Sequence, residues 1–221
     1  MKPVICIEMT YPGFKSYEKI VKIKDADFSQ IEFWDWKDKD ISLFYSISHK
    51  HNIKITNFSG HRKGSFIASN THEKIFSELK EAIKIAEEVN CPNLMLLTDQ
   101  LGEGGKIENS YDEISPEEKY LNIITGLTKA ISLTPHPITL LLETLNSKID
   151  HPGYYLDDIN TAIKIIREIN HPRLKILADL YHLGVMGYDL NQIINEYHSE
   201  IGYFHIADIP GRHEPGTGNI N

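Results

Sequence analysis

The feature that most constrains the fold is a regular alternation between two kinds of apolar segment. Short runs recur at positions 4–9, 31–34, 53–58, 94–97, 138–142, 174–178 and 201–206. Each has strand length, and several are apolar on both faces, as buried parallel strands are. Longer amphipathic stretches lie between them. Over 71–90 the residues Ile75, Leu79, Ile83, Ala86 and Val89 recur at steps of three or four, which predicts one helical face. Over 157–170 the matching set is Ile159, Ala162, Ile163, Ile166 and Ile169. Ser115-Pro116-Glu117-Glu118 combines an N-cap serine, a proline at the first helical position and a glutamate three residues on. Asn90 and Asn170 each stand two residues before a proline, where helices stop. Segment 101–115, with Gly102, Gly104 and Gly105, reads as a loop.

Strand–helix alternation of this kind implies a parallel sheet wrapped by helices. An open doubly wound sheet and a closed barrel both satisfy it. The first strand runs into Thr10-Tyr11-Pro12-Gly13 rather than a G-x-G-x-x-G phosphate turn, so a dinucleotide-binding sheet has no support. The expected fold is α/β, a (β/α)8 TIM barrel. About 33 residues separate successive strand starts, so eight units need about 260 residues, near the ~250 typical of this architecture. The 221 residues therefore read as one domain, 1–221, truncated after strand 7. A fragment of a longer enzyme is the favoured explanation, ahead of a partner-supplied strand or an inactive truncated paralogue.

Composition excludes some functions. With 23 basic and 31 acidic side chains the formal charge is −8, which disfavours nonspecific nucleic-acid binding. No apolar run approaches the ~20 residues needed to span a bilayer, so no membrane partner is expected. Cys6 and Cys91 form no disulfide framework and no C-x-x-C pair, which points to a reducing, cytoplasmic setting.

In a parallel barrel the site lies at the C-terminal ends of the strands. There, strand 5 ends in Glu143, strand 6 ends in Asp179 with His182 three residues later, and strand 7 reaches His205. Two carboxylates and an imidazole thus converge on one rim. Such donors suit Mg²⁺, Mn²⁺, Co²⁺ or Zn²⁺. A lone acid at a strand end is more commonly a helix N-cap; two acids and a histidine on adjacent strands favour a metal. Trp34 and Trp36 after the second strand either line the pocket or cap the barrel. Six histidines (His49, His51, His72, His136, His171 and His198) have no motif context and read mostly as surface residues.

Several motifs carry a family resemblance. Glu143-Thr144-Leu145-Asn146, His151-Pro152-Gly153-Tyr154-Tyr155-Leu156, Asp179-Leu180-Tyr181-His182 and the run from His205 through Ala207-Asp208-Ile209-Pro210-Gly211-Arg212-His213-Glu214-Pro215-Gly216-Thr217-Gly218 resemble the hydroxypyruvate isomerase group of the xylose-isomerase-like TIM barrels. Asn57-Phe58-Ser59-Gly60-His61-Arg62-Lys63-Gly64-Ser65 fits as well. The resemblance implies a divalent metal on Glu143, Asp179 and His205, with Glu143 also the general base. It implies substrate contacts from His182 and Arg212, and a weaker one from His61. The family's fourth ligand, a glutamate from an eighth strand, has no counterpart by Asn221. The implied reaction interconverts a small 2-hydroxy aldehyde and a hydroxy ketone acid through an enediolate, with hydroxypyruvate and tartronate semialdehyde foremost. Another sugar or sugar-acid isomerase or epimerase is the alternative, and a non-catalytic metal or sugar-acid binding barrel is a third. A repair endonuclease of the same superfamily is set aside, because it needs many metal-binding histidines and a basic groove. Homo-oligomerisation stays open.

Overall fold

A computed structural model describes residues 2–220. Seven strands form one parallel sheet in the order β1 to β7, each hydrogen-bonded to its neighbours in sequence. They are β1 (Ile5–Cys6), β2 (Gln30–Glu32), β3 (Lys54–Ser59), β4 (Asn93–Leu96), β5 (Thr139–Glu143), β6 (Leu174–Asp179) and β7 (Ile201–His205). Seven helices wrap them: α1 (Ser16–Asp25), α2 (Ile41–Lys50), α3 (His72–Glu88), α4 (Pro116–Leu133), α5 (Ile159–Ile169), α6 (Leu180–Met186) and α7 (Leu190–Tyr197). This is the curled part-barrel that the alternation implies. The curl is deep enough for β3 and β7 to meet across the interior, where Thr56 Oγ1 and Tyr203 Oη lie 3.0 Å apart.

Local signals explain the element ends. Ser115 Oγ accepts a hydrogen bond from the Glu118 amide at 3.2 Å, so α4 begins at the proline. Asn170 takes the left-handed conformation, φ 47°, and stops α5, a conformation asparagine tolerates better than most residues. β1 is shorter than the run 4–9 predicts. The chain turns immediately after Cys6, whose carbonyl accepts from the Met9 amide and from Thr10 Oγ1. Segment 101–115 is a loop with one short 3-10 turn at Glu103–Gly105 and a bridge between Leu101 and Ile107.

Two apolar layers place the site. The larger lies between sheet and helices and takes Phe58, Leu94, Leu96, Leu140, Leu142, Leu174 and Ile176 from the strands, against Ile75, Leu79, Ile163 and Ile166 from α3 and α5. The smaller is inside the barrel: Met95, Leu141 and Leu177, with Tyr203 packed on them. Successive strand residues face opposite ways. Two residues on from Leu141, Leu177 and Tyr203 stand Glu143, Asp179 and His205, which therefore continue the inner face at its C-terminal rim.

One histidine departs from expectation. His72 is buried, not at the surface, with Nε2 2.9 Å from the Phe66 carbonyl and its ring against Phe66 and Phe76. It falls three residues before Ile75, on the inward face of α3. Cys6 and Cys91 are both free thiols. Among the described residues no helix is long and apolar enough to cross a membrane.

Candidate active site at the C-terminal rim

Glu143, Asp179 and His205 each offer a donor atom, and the three atoms lie within 4.8 Å of one another. His205 Nδ1 is 3.0 Å from Glu143 Oε1 and 3.8 Å from Asp179 Oδ2. Two carboxylate oxygens and an imidazole nitrogen at this spacing fit a divalent cation of the Mg²⁺, Mn²⁺, Co²⁺ or Zn²⁺ kind.

Asp179 resolves the choice between cap and ligand by serving both ends. Its Oδ1 caps α6, accepting from the amides of Tyr181 at 2.9 Å and His182 at 3.2 Å. Its Oδ2 turns into the cluster, where it meets His205, Arg212 and His182.

His182 presents one nitrogen to the cluster in a fixed protonation state. Asn146 Oδ1 accepts from the amides of Ile149 and Asp150, so its amide nitrogen is the donor, to Asp150 at 2.6 Å and to His182 Nδ1 at 2.6 Å. His182 Nδ1 is then an acceptor, and Nε2 carries the proton. That Nε2 is buried, 3.5 Å from Asp179 Oδ2, and has no hydrogen-bond partner among the described residues. Burial first, opposed by the Asp179 charge, holds the His182 pKa down to about 4, so the ring is neutral at pH 7. A neutral N–H donor aimed at a carboxylate cluster is suited to a ligand oxygen.

The other charges follow their surroundings. Burial raises the pKa of Glu143, only partly offset by the adjacent His205. Burial would lower that of His205, but the carboxylates of Glu32 and Glu143 outweigh it and hold it well above the usual imidazole value. For Glu32 burial pushes up, and the charge and hydrogen bonds of His205 reverse this to a net lowering.

Arg212 comes from the loop after β7. Its Nη2 is 3.3 Å from Asp179 Oδ2 and its guanidinium lies over the Tyr181 ring at 5.2 Å. Its carboxylate partner is thus Asp179 and neither loop acid, Asp208 or Glu214. Asp208 instead ties the loop to itself: Oδ1 accepts from the amides of Ile209 and Ile220, and Oδ2 from Gly216. Those amides, Ile220 first, lower its pKa to about 2. A Cβ on Gly218 would sit 2.5 Å from Asp208 Oδ1, so the knot requires glycine there.

His61 is buried in the wall between the β3 and β4 loops. Nε2 lies 3.1 Å from the Leu97 carbonyl and Nδ1 3.3 Å from that of Lys63. Trp36 is buried against Phe58, whereas Trp34 is half-buried.

Two contributors escaped the sequence reading. Asn146 lies within a recognised motif but had no role. Glu32 on β2 is buried and reaches His205 Nε2 at 3.0 Å. Its signal was a lone acid inside an apolar strand run, a residue type that is rarely buried without a partner.

The fold and this rim define a TIM-barrel protein with its polar site at the strand C-termini. Residues 20–221 match the family model described as Xylose isomerase-like TIM barrel, and the chain belongs to that family. Among curated proteins it is 27% identical to a 2-oxo-tetronate isomerase of Pectobacterium atrosepticum, over 65% of this chain and 52% of that protein. It thus spans about half the length of that relative. It is 26% identical to the hydroxypyruvate isomerase of Escherichia coli, over 97% of this chain and 83% of that enzyme. Among solved structures, one titled AP endonuclease, family 2, from Brucella melitensis superposes with a TM-score of 0.87, covering 100% of this chain and 85% of the other. At 23% identity that likeness concerns the fold.

Proposed function

We propose that this chain carries the catalytic rim of a metal-dependent isomerase for a small hydroxy-oxo acid, with hydroxypyruvate and tartronate semialdehyde as the pair. The observation that carries the reading is the convergence of Glu143, Asp179 and His205 from three adjacent strands to within 4.8 Å. The named isomerases among its relatives support it.

Glu143, Asp179 and His205 would hold the cation. When bound, such a cation stabilises negative charge developing on substrate oxygens. The remaining chemistry belongs to the protein. Glu143 removes a proton from C3 of hydroxypyruvate, giving the enediolate, and a proton is delivered to C2 while the hydroxyl proton passes from O3 to O2, which leaves the aldehyde at C3. A positioned carboxylate is a competent general base for such a proton transfer. His182 donates Nε2–H to a substrate oxygen and, being neutral, does so without adding charge. Arg212 has donors beyond the one it gives Asp179, and its planar fork suits the substrate carboxylate. His61 shapes the wall and positions the loop beside it.

Incubation with hydroxypyruvate and Mn²⁺ in ²H₂O tests the reading. Deuterium is expected at C2 of the tartronate semialdehyde formed and, through return of the enediolate, at C3 of the recovered hydroxypyruvate. Exchange with 2-oxo-tetronate and none with hydroxypyruvate would transfer the proposal to the longer acid, as the Pectobacterium relative favours. Tight metal binding with no exchange on either would leave a binding barrel.

A further inference from the structure

His205 is held from both sides, and the two sides differ in kind. Nδ1 faces the cluster, 3.0 Å from Glu143 and 3.8 Å from Asp179. Nε2 faces away from it, 3.0 Å from Glu32 Oε1 and 3.1 Å from Glu32 Oε2. Glu32 stands 173 residues earlier in the chain, on a different strand, and offers no donor atom to the three-residue cluster.

The backbone aims Glu32 there. Register slips by one residue between Ile31 and Glu32, so that Ile31 pairs with Ile55 but Glu32 pairs with Asn57. Asn57 Nδ2 then lies 3.4 Å from Glu32 Oε2. A carboxylate buried to this depth is costly unless charge-paired and hydrogen-bonded. Glu32 has its principal partner in the imidazole.

We infer that Glu32 is the positioning residue of the site: by accepting the Nε2–H bond of His205 it fixes ring orientation and tautomer, leaving Nδ1 as the nitrogen that faces the metal. The inference rests on the metal reading above. Ligating imidazoles commonly donate their second N–H to a carboxylate, and loss of that partner weakens metal binding roughly 10- to 100-fold.

Calorimetric titration of Mn²⁺ into the protein and into Glu32→Gln tests this, alongside ring ¹⁵N spectra of both loaded with Mg²⁺. The variant should bind Mn²⁺ roughly 10- to 100-fold more weakly. The wild-type spectrum should show His205 protonated at Nε2 only, with that proton slow to exchange with solvent, and the variant should exchange it faster. Unchanged affinity and an unchanged spectrum in Glu32→Gln would overturn the role of Glu32 while leaving the metal site standing. If the variant does not fold, the wild-type spectrum alone decides, since a proton on Nδ1 in the loaded protein refutes the assignment. Absence of Mn²⁺ binding by the wild type would remove both the metal site and this inference.

Discussion

His205 Nδ1 lies 3.0 Å from Glu143 Oε1, although the strands that carry them are separated by β6. The contact passes over the end of that strand, where Asp179 pairs in register with His205 and Leu177 with Glu143. Three donors from three strands are thus drawn to one point by the inward parity of the sheet and need no special loop. Glu143→Gln keeps the shape of the side chain and removes its capacity to take a proton. Substrate-dependent deuterium exchange is expected to fall roughly a hundred- to ten-thousand-fold. Far-ultraviolet circular dichroism should not change. Retained exchange would take the base assignment away from Glu143.

The two oxygens of Asp179 predict a separation of effects. Asp179→Asn preserves an N-cap acceptor for Tyr181 and His182 but discards the charge. It should lose metal affinity, with stability altered only slightly, since asparagine caps about as well as aspartate. Asp179→Ala loses both and should cost a further ~1 kcal/mol, the usual value of a cap. Chemical denaturation and calorimetry on the pair of variants would show it. Equal stability of the two would mean that the cap contributes nothing.

Much of this was written locally in the chain. The seven strands follow from apolar runs, the start of α4 from Ser115 and Pro116, and the end of α5 from Asn170. Glu143, Asp179 and His205 were legible because the last residues of parallel strands form the rim. Glu32 was not, because its meaning depends on a partner 173 residues away and on a register slip that no local pattern announces. Asp179 was legible as an acid at a strand end but not as a residue with two jobs; that required knowing where each oxygen points. The burial of His72 follows from the same apolar face of α3 that Ile75, three residues on, and Leu79 mark.

The loop that carries Arg212 should open in acid. Asp208 has a folded pKa near 2, below its ordinary 3.8, because the amides of Ile220, Gly218, Gly216 and Ile209 favour the charged form. A depressed carboxyl contributes stability that is whole above the unfolded value and is lost as pH falls through the folded one. Protection of the Gly216 and Ile220 amides, taken relative to their intrinsic exchange rates, should therefore fall between about pH 4 and 2. Asp208→Ala should show the same loss of protection at neutral pH, together with a raised KM for a carboxylate substrate through misplacement of Arg212. Normal protection of both amides in the variant would mean that Asp208 does not hold the loop.

Asp99 predicts the opposite pH dependence. It follows β4, is buried, and accepts from Thr98 Oγ1 at 2.7 Å and the Tyr155 amide at 3.2 Å through Oδ2 alone. Oδ1 has no partner among the described residues. Burial raises its pKa from 3.8 to about 6, against the lowering effect of those two hydrogen bonds. A carboxyl with a raised folded pKa binds more protons folded than unfolded between those two values, so stability declines as pH rises from about 4 to 6 and then levels. Two units correspond to about 3 kcal/mol at most. Asp99→Asn removes the charge but places an unpaired amide group where Oδ1 was, which returns part of the gain. A net stabilisation on the order of 1–2 kcal/mol at pH 8, vanishing near pH 4, is expected from urea denaturation at the two pH values. Destabilisation at pH 8 would mean that the carboxylate is better accommodated there than the amide and that burial does not raise its pKa.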